Sequence, residues 1–201
     1  MRCLFVLPLL ALTLPAVAAP PTGDIELTPI AGYRGGGGFE DTGSGDSLDL
    51  DEAGSYGLVL NIDHDANTQW EFMFSRQATS LKPGPSVAPG FDLNVRHFSA
   101  GGIYVWWGER VEPFIGAGFG VTHMSPDGSD YDDETRLMFQ LNGGYKFWLT
   151  RNIGLRLELR GYTTFMDSDA EVFCAGGACV ARVESSGFGQ LEGIAGLSVR
   201  F

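Results

Sequence analysis

Two stretches of this chain alternate so strictly that few folds remain open to it. In IGLRLELRGYTTF (153–165), Ile153, Leu155, Leu157 and Leu159 take every second position against Arg156, Glu158 and Arg160. In TRLMFQLNGGYKFW (135–148), Leu137, Phe139, Leu141, Tyr145 and Phe147 do the same against Arg136, Gln140, Asn142, Lys146 and Trp148. A period of two puts successive side chains on opposite faces of an extended strand, whereas a helix would scatter both sets around its surface. Each stretch therefore reads as a strand with one apolar and one polar side.

Five more segments carry the same signature. They are DIELTPIAGYR (24–34), SYGLVLNI (55–62), TQWEFMFSRQ (68–77), VEPFIGAGFGVT (111–122) and GQLEGIAGLSVRF (189–201). An eighth, LNVRHFSAGGIYVWW (93–107), is ambiguous because both parities hold apolar groups, and its Gly101–Gly102 pair suggests a bulge. The connections alternate too. Those at 63–67, 107–111 and 149–152 are short, whereas those at 35–54, 78–92, 124–135 and 167–186 are long, polar and rich in Gly and Asp.

Eight two-sided strands with short turns at one end and long loops at the other describe an all-β, eight-stranded antiparallel up-and-down transmembrane β-barrel. No stretch after the first nineteen residues is apolar for long enough to be a membrane helix. A soluble barrel with a ligand cavity has a similar strand count, but its cavity would then be lined by Arg136, Arg156, Glu158, Arg160 and Glu192. The four tryptophans, Trp70, Trp106, Trp107 and Trp148, all fall at the short-turn ends of their strands. Together with Phe201 they are expected to form an aromatic girdle at the membrane interface.

The first nineteen residues, MRCLFVLPLLALTLPAVAA, have one early cation, an apolar run and small residues near Ala18 and Ala19. That is the pattern of a cleaved secretory signal peptide, which makes 1–19 the leader and 20–201 the barrel domain. Cleavage removes Arg2 and no acid, so the net charge moves from −12 to −13. Such an acidic chain is not a nucleic-acid partner. Cys174 and Cys179 in CAGGAC have no His or third Cys beside them, so a disulfide is expected rather than a metal site. No cofactor is implied.

In its leader, the GYRGGGGF leaving the first strand, the GGIYVWWGERVEPFIGAGFG strand pair and the closing GLSVRF, the chain resembles the small eight-stranded outer-membrane barrels, the OmpA/OmpX-like and OmpW-like proteins. The resemblance implies a bacterial outer-membrane location, contact with membrane lipid and lipopolysaccharide, and recognition of the C-terminal aromatic strand by the outer-membrane insertion machinery. A monomer is expected.

Parity assigns Glu26, Glu71, Glu112, Glu158 and Glu192 to the lumen with Arg34, Arg96, Arg136, Lys146, Arg156, Arg160 and Arg200. The expected lumen charge network consists of Glu71, Arg96, Arg136, Lys146, Arg156, Glu158, Arg160 and Glu192. An eight-stranded barrel is only just wide enough for its own side chains, and buried charges persist when paired. The expected function is thus structural or surface-interacting, with no enzymatic activity and no catalytic residue. One alternative is a narrow or gated ion or small-solute channel in which these groups exchange partners. Another is a lipid A-modifying enzyme, because His97 and Ser99 resemble the H-x-S of lipid A deacylases. The nearest downstream acids, Glu109 and Glu112, lie at the far end of the strand, which favours His97 as a surface or girdle residue. The acidic loops, including Asp127, Asp130, Asp132, Asp133 and Glu134, lack the frame of a Ca²⁺ loop; they are expected to be solvated or to hold divalent cations at the lipopolysaccharide surface.

Overall fold

A computed structural model describes residues 25–41, 47–80, 92–127, 132–166, 170–175, 178–183 and 187–201, with side chains omitted for 39–49 and 170–183. The strands in chain order are β1 (Ile25–Gly36), β2 (Gly38–Asp41), β3 (Ser47–Asp49), β4 (Ala53–Asp65), β5 (Thr68–Ser80) and β6 (Asp92–Val105). They continue with β7 (Val111–Pro126), β8 (Glu134–Trp148), β9 (Ile153–Phe165), β10 (Ala170–Ala175), β11 (Ala178–Val183) and β12 (Gly187–Arg200). Eight of these are 12 to 16 residues long and close into a barrel in the order β1-β12-β9-β8-β7-β6-β5-β4. Every neighbouring pair is antiparallel, and β12 returns to β1 through pairs such as Leu27↔Val199 and Arg34↔Glu192. A tilted strand of about 9–11 residues crosses a bilayer, so each is long enough to span one.

Burial is inverted relative to a soluble protein. Arg34, Lys146, Arg156 and Arg160 are completely buried, whereas Leu137 is 70% exposed and Phe119 69%. A ring of strands whose charges point inward and whose Leu and Phe point outward is stable only with lipid around it. The alternation read from the sequence now has its facing, including the ambiguous strand: β6 turns Leu93, Val95, His97, Ser99, Ile103 and Val105 inward.

The expected bulge at Gly101–Gly102 is absent. The β5–β6 register runs unbroken through Glu71↔Gly101 and Trp70↔Gly102, and a bulge occurs instead between Asp63 and Asp65. Gly101 is needed for close approach, since a Cβ there would sit 2.2 Å from the Ala117 carbonyl oxygen.

The first and last long connections hold more order than polar loops would. β2, β3, β10 and β11 form a second sheet in the order β10-β11-β2-β3, joined by Ala181↔Asp41 and Arg182↔Glu40. Alternating VFCA and ACVARV around Gly-Gly is a hairpin signal, which accounts for β10 and β11. The backbone sets Cys174 opposite Cys179. The disulfide expected of their side chains falls outside the described residues, as does the signal peptide.

Candidate functional site

The side chains inside the barrel form storeys. Nearest the short turns, Arg200 lies over the Trp148 ring at 3.9 Å and the Trp107 ring at 5.3 Å, and its Nη2 reaches Glu112 at 3.1 Å and Glu26 at 3.5 Å. Lys146 Nζ donates to Glu26 Oε2 at 2.8 Å and to Gln69 Oε1 at 2.9 Å. Phe114 closes this level from above, with the Arg156 guanidinium 4.4 Å from its centroid.

The middle storey is a ring of four charges. Glu71 accepts from Arg156 Nη2 at 2.6 Å and from Arg160 Nη2 at 2.9 Å, one on each oxygen. Glu158 accepts from Arg156 Nε at 2.6 Å and Arg160 Nε at 2.5 Å in the same way. Glu71 stands on β5 and the other three on β9, four places apart in a ring of eight strands, so the bonds tie opposite walls together. The two-residue repeat puts Arg156, Glu158 and Arg160 in one inward column. Asn61, Gln140 and Asn142 complete the shell through Arg156, Arg160 and Glu71.

Above lies a second cluster. Arg34 Nε and Nη2 reach Glu192 Oε2 at 3.2 and 2.9 Å, and Arg34 also donates to Ser75. Tyr162 and Ser55 hydroxyls donate to Glu192. His97 stacks on Tyr162 with 4.4 Å between centroids, while its ring nitrogens meet Thr122 at 3.0 Å and Gln190, on the opposite wall, at 3.2 Å. At the loop-side end Leu50, Leu93, Val95, Met124, Met166 and Phe188 are each buried. Among the described residues, the buried acids Glu26, Glu71, Glu112, Glu158 and Glu192 are met by Arg34, Lys146, Arg156, Arg160 and Arg200.

Of the residues singled out in the sequence, Glu71, Arg156, Glu158 and Arg160 meet in the central ring, with Lys146 below and Glu192 above. Arg96 does not join them. It occupies the opposite parity of β6 from His97 and points outward; facing it inward would drive Phe98 and Tyr104 into the lumen. Arg136 has inward parity but sits at the rim, paired with Glu134 at 2.9 Å.

The girdle is corrected as well. Trp70, Trp106 and Phe201 are outward and exposed, while Trp107 and Trp148 are only 9% and 8% exposed and cap the lumen. Trp106 and Trp107 follow β6 directly and keep its alternation, one facing out and the other in. His97 is a lumen residue rather than a surface one. Its signal was available in the same strand, where outward Phe98, Tyr104 and Trp106 demand inward His97 and Ser99. Ser99 Oγ is buried without a hydrogen-bond partner among the described protein atoms, so the H-x-S pair is neither linked nor open to lipid. Among the described residues no metal-binding group of His, Cys, Asp or Glu assembles.

The chain has the fold of small bacterial outer-membrane barrels. It is similar to Neisserial surface protein A, with a TM-score of 0.62 at 17% identity over 88% of this chain and 97% of that one. The outer membrane protein OprG of Pseudomonas aeruginosa superposes at 0.61, with 11% identity over 90% and 96%. The outer membrane protein AlkL does so at 0.56, with 17% identity over 94% and 95%. No protein-family model matches the sequence, and no curated protein matches it.

Proposed function

We propose that this chain is an exported outer-membrane barrel, delivered by cleavage of residues 1–19, whose role is structural and surface-interacting rather than catalytic or conductive. The observation that carries the reading is the Glu71–Arg156–Glu158–Arg160 ring, which spans the lumen with every carboxylate oxygen and all three nitrogens of each guanidinium engaged. Partner exchange in such a ring breaks several short charge-assisted bonds among buried groups at once, so the barrel is stiffened and held shut. The loop-side sheet of β2, β3, β10 and β11 is the surface offered to partners. His97 and Ser99 face the interior, away from any lipid substrate.

Planar-bilayer recording on refolded protein is the test: no unitary steps are expected, and regular steps altered by Glu71→Gln would instead establish a channel. Gel mobility must differ between boiled and unboiled samples if the chain is a membrane-inserted barrel.

A further inference from the structure

Three outward side chains on adjacent strands form a row that the lumen does not explain. Register sets Arg76 of β5 directly opposite Arg96 of β6, and Arg96 opposite His123 of β7. Among the described residues Arg76 donates to neutral groups, to Asn94 Oδ1 at 2.6 and 3.0 Å and to the Tyr56 hydroxyl at 3.3 Å. His123 Nδ1 shares a hydrogen bond with Thr135 at 2.8 Å, and its Nε2 is 3.7 Å from Asp133. Among the described residues neither arginine has a carboxylate partner. Like charges directly opposite on a sheet face repel, and the described acids beside the row, Asp133 near His123 and Asp127 accepting from Asn94 Nδ2 at 2.7 Å, pair with neither arginine.

Its level is informative. The outward residues of β7 are apolar from Val111 to Val121, ten steps that at about 3.3 Å each and a tilt near 40° cover about 25 Å, the height of a lipid-facing band. His123 is the next outward residue. Outward Arg76 likewise follows Trp70, Phe72 and Phe74 on β5, and Arg96 precedes Phe98 on β6. The row thus marks the edge of the apolar belt on the long-loop side. Below it a groove of about 530 Å³ runs down the outer wall, with Ala100 as its floor between Phe72 and Phe119 and with Leu58, Phe98 and Val121 around it.

A dianionic headgroup above and an apolar tail below fit this wall. We propose that β5–β7 hold one phosphorylated, acylated lipid of the outer leaflet, its phosphate between Arg76 and Arg96 and an acyl chain over Ala100. The proposal rests on the membrane reading given above.

The test is native mass spectrometry of refolded protein with three probes: lipid A bearing two phosphates, the same lipid stripped of phosphate, and inorganic phosphate alone. Wild type should retain the phosphorylated lipid over the other two. Arg76→Gln/Arg96→Gln should lose about tenfold or more in retention as two charge-assisted contacts vanish. Arg96→Gln alone, at a side chain with no hydrogen bond among the described residues to lose, should show part of that loss in a fully folded barrel. Ala100→Leu should weaken the lipid without changing phosphate binding. Equal retention of both lipids, equal retention by the double variant, or phosphate bound as tightly as lipid would each overturn the proposal. A chain with no heat-shifted mobility fails the parent reading, whereas a heat-shifted barrel that does not discriminate fails this one alone.

Discussion

Arginines on the two sides of this one wall live under opposite rules. Inside, Arg156 and Arg160 are completely buried, and each touches two carboxylates. Outside, Arg76 and Arg96 face each other across a strand pair, and among the described residues Arg76 bonds only neutral groups while Arg96 has no hydrogen bond. Taking a cation out of bulk water is costly unless acids are matched to it, whereas at the headgroup edge the proposed lipid phosphate would supply the counter-charge. Position relative to lipid, rather than residue type, decides which arginines are structural.

That contrast predicts a ranking. Glu71→Leu leaves two buried guanidiniums short of one acid each and should cost about 3–5 kcal/mol, read by urea unfolding of the refolded barrel. A loss below about 1 kcal/mol there would mean that water reaches the ring and that the interior resembles the exterior. Replacing the whole ring with apolar groups of similar volume (Glu71→Leu, Arg156→Met, Glu158→Leu, Arg160→Met) should restore most of that loss, because no charge is then left unpaired. Continued destabilisation of the quadruple variant would show that the ring contributes more than charge balance. Tyr162→Phe removes one donor to buried Glu192 and should cost about 1–2 kcal/mol in the same titration. Arg96→Gln should stay within about 0.5 kcal/mol while altering lipid retention, and a larger stability change would erase the distinction between the two faces.

Much of the architecture is legible because a strand repeat of two is hard to counterfeit. IGLRLELRGYTTF declares its inward column, Arg156, Glu158 and Arg160, without help from any other part of the chain. What periodicity withholds is partnership: that Glu71 reaches across to β9 depends on barrel closure and strand stagger, which no single segment encodes. The misplacement of Arg96 has a different cause. Charge favours the lumen for Arg96, but the combined bulk of Phe98, Tyr104 and Trp106 on the same parity outweighs it, so β6 turns its histidine inward. Trp107 and Trp148 went astray because their level along the strand was read without their parity. The β2, β3, β10 and β11 sheet escaped notice because its strands are short and pair between connections separated by more than a hundred residues.

The seam between β1 and β12 has a consequence for the life of the chain before it is a barrel. The Thr28–Ser198 hydroxyl contact at 2.8 Å joins positions 170 apart, and Phe201 N donates to Ile25 O at 2.9 Å. Neither bond can exist until synthesis has passed those last residues, and drawing such distant ends together carries a chain-entropy cost of about 4–5 kcal/mol. The other seven barrel pairs join strands that follow one another along the ring and can zip in turn, but the first strand must wait with an unsatisfied edge for the last. The waiting interval between release and closure is therefore the vulnerable phase of this molecule's existence, and escorts or catalysts that shorten it would govern yield more than any side chain in the finished wall.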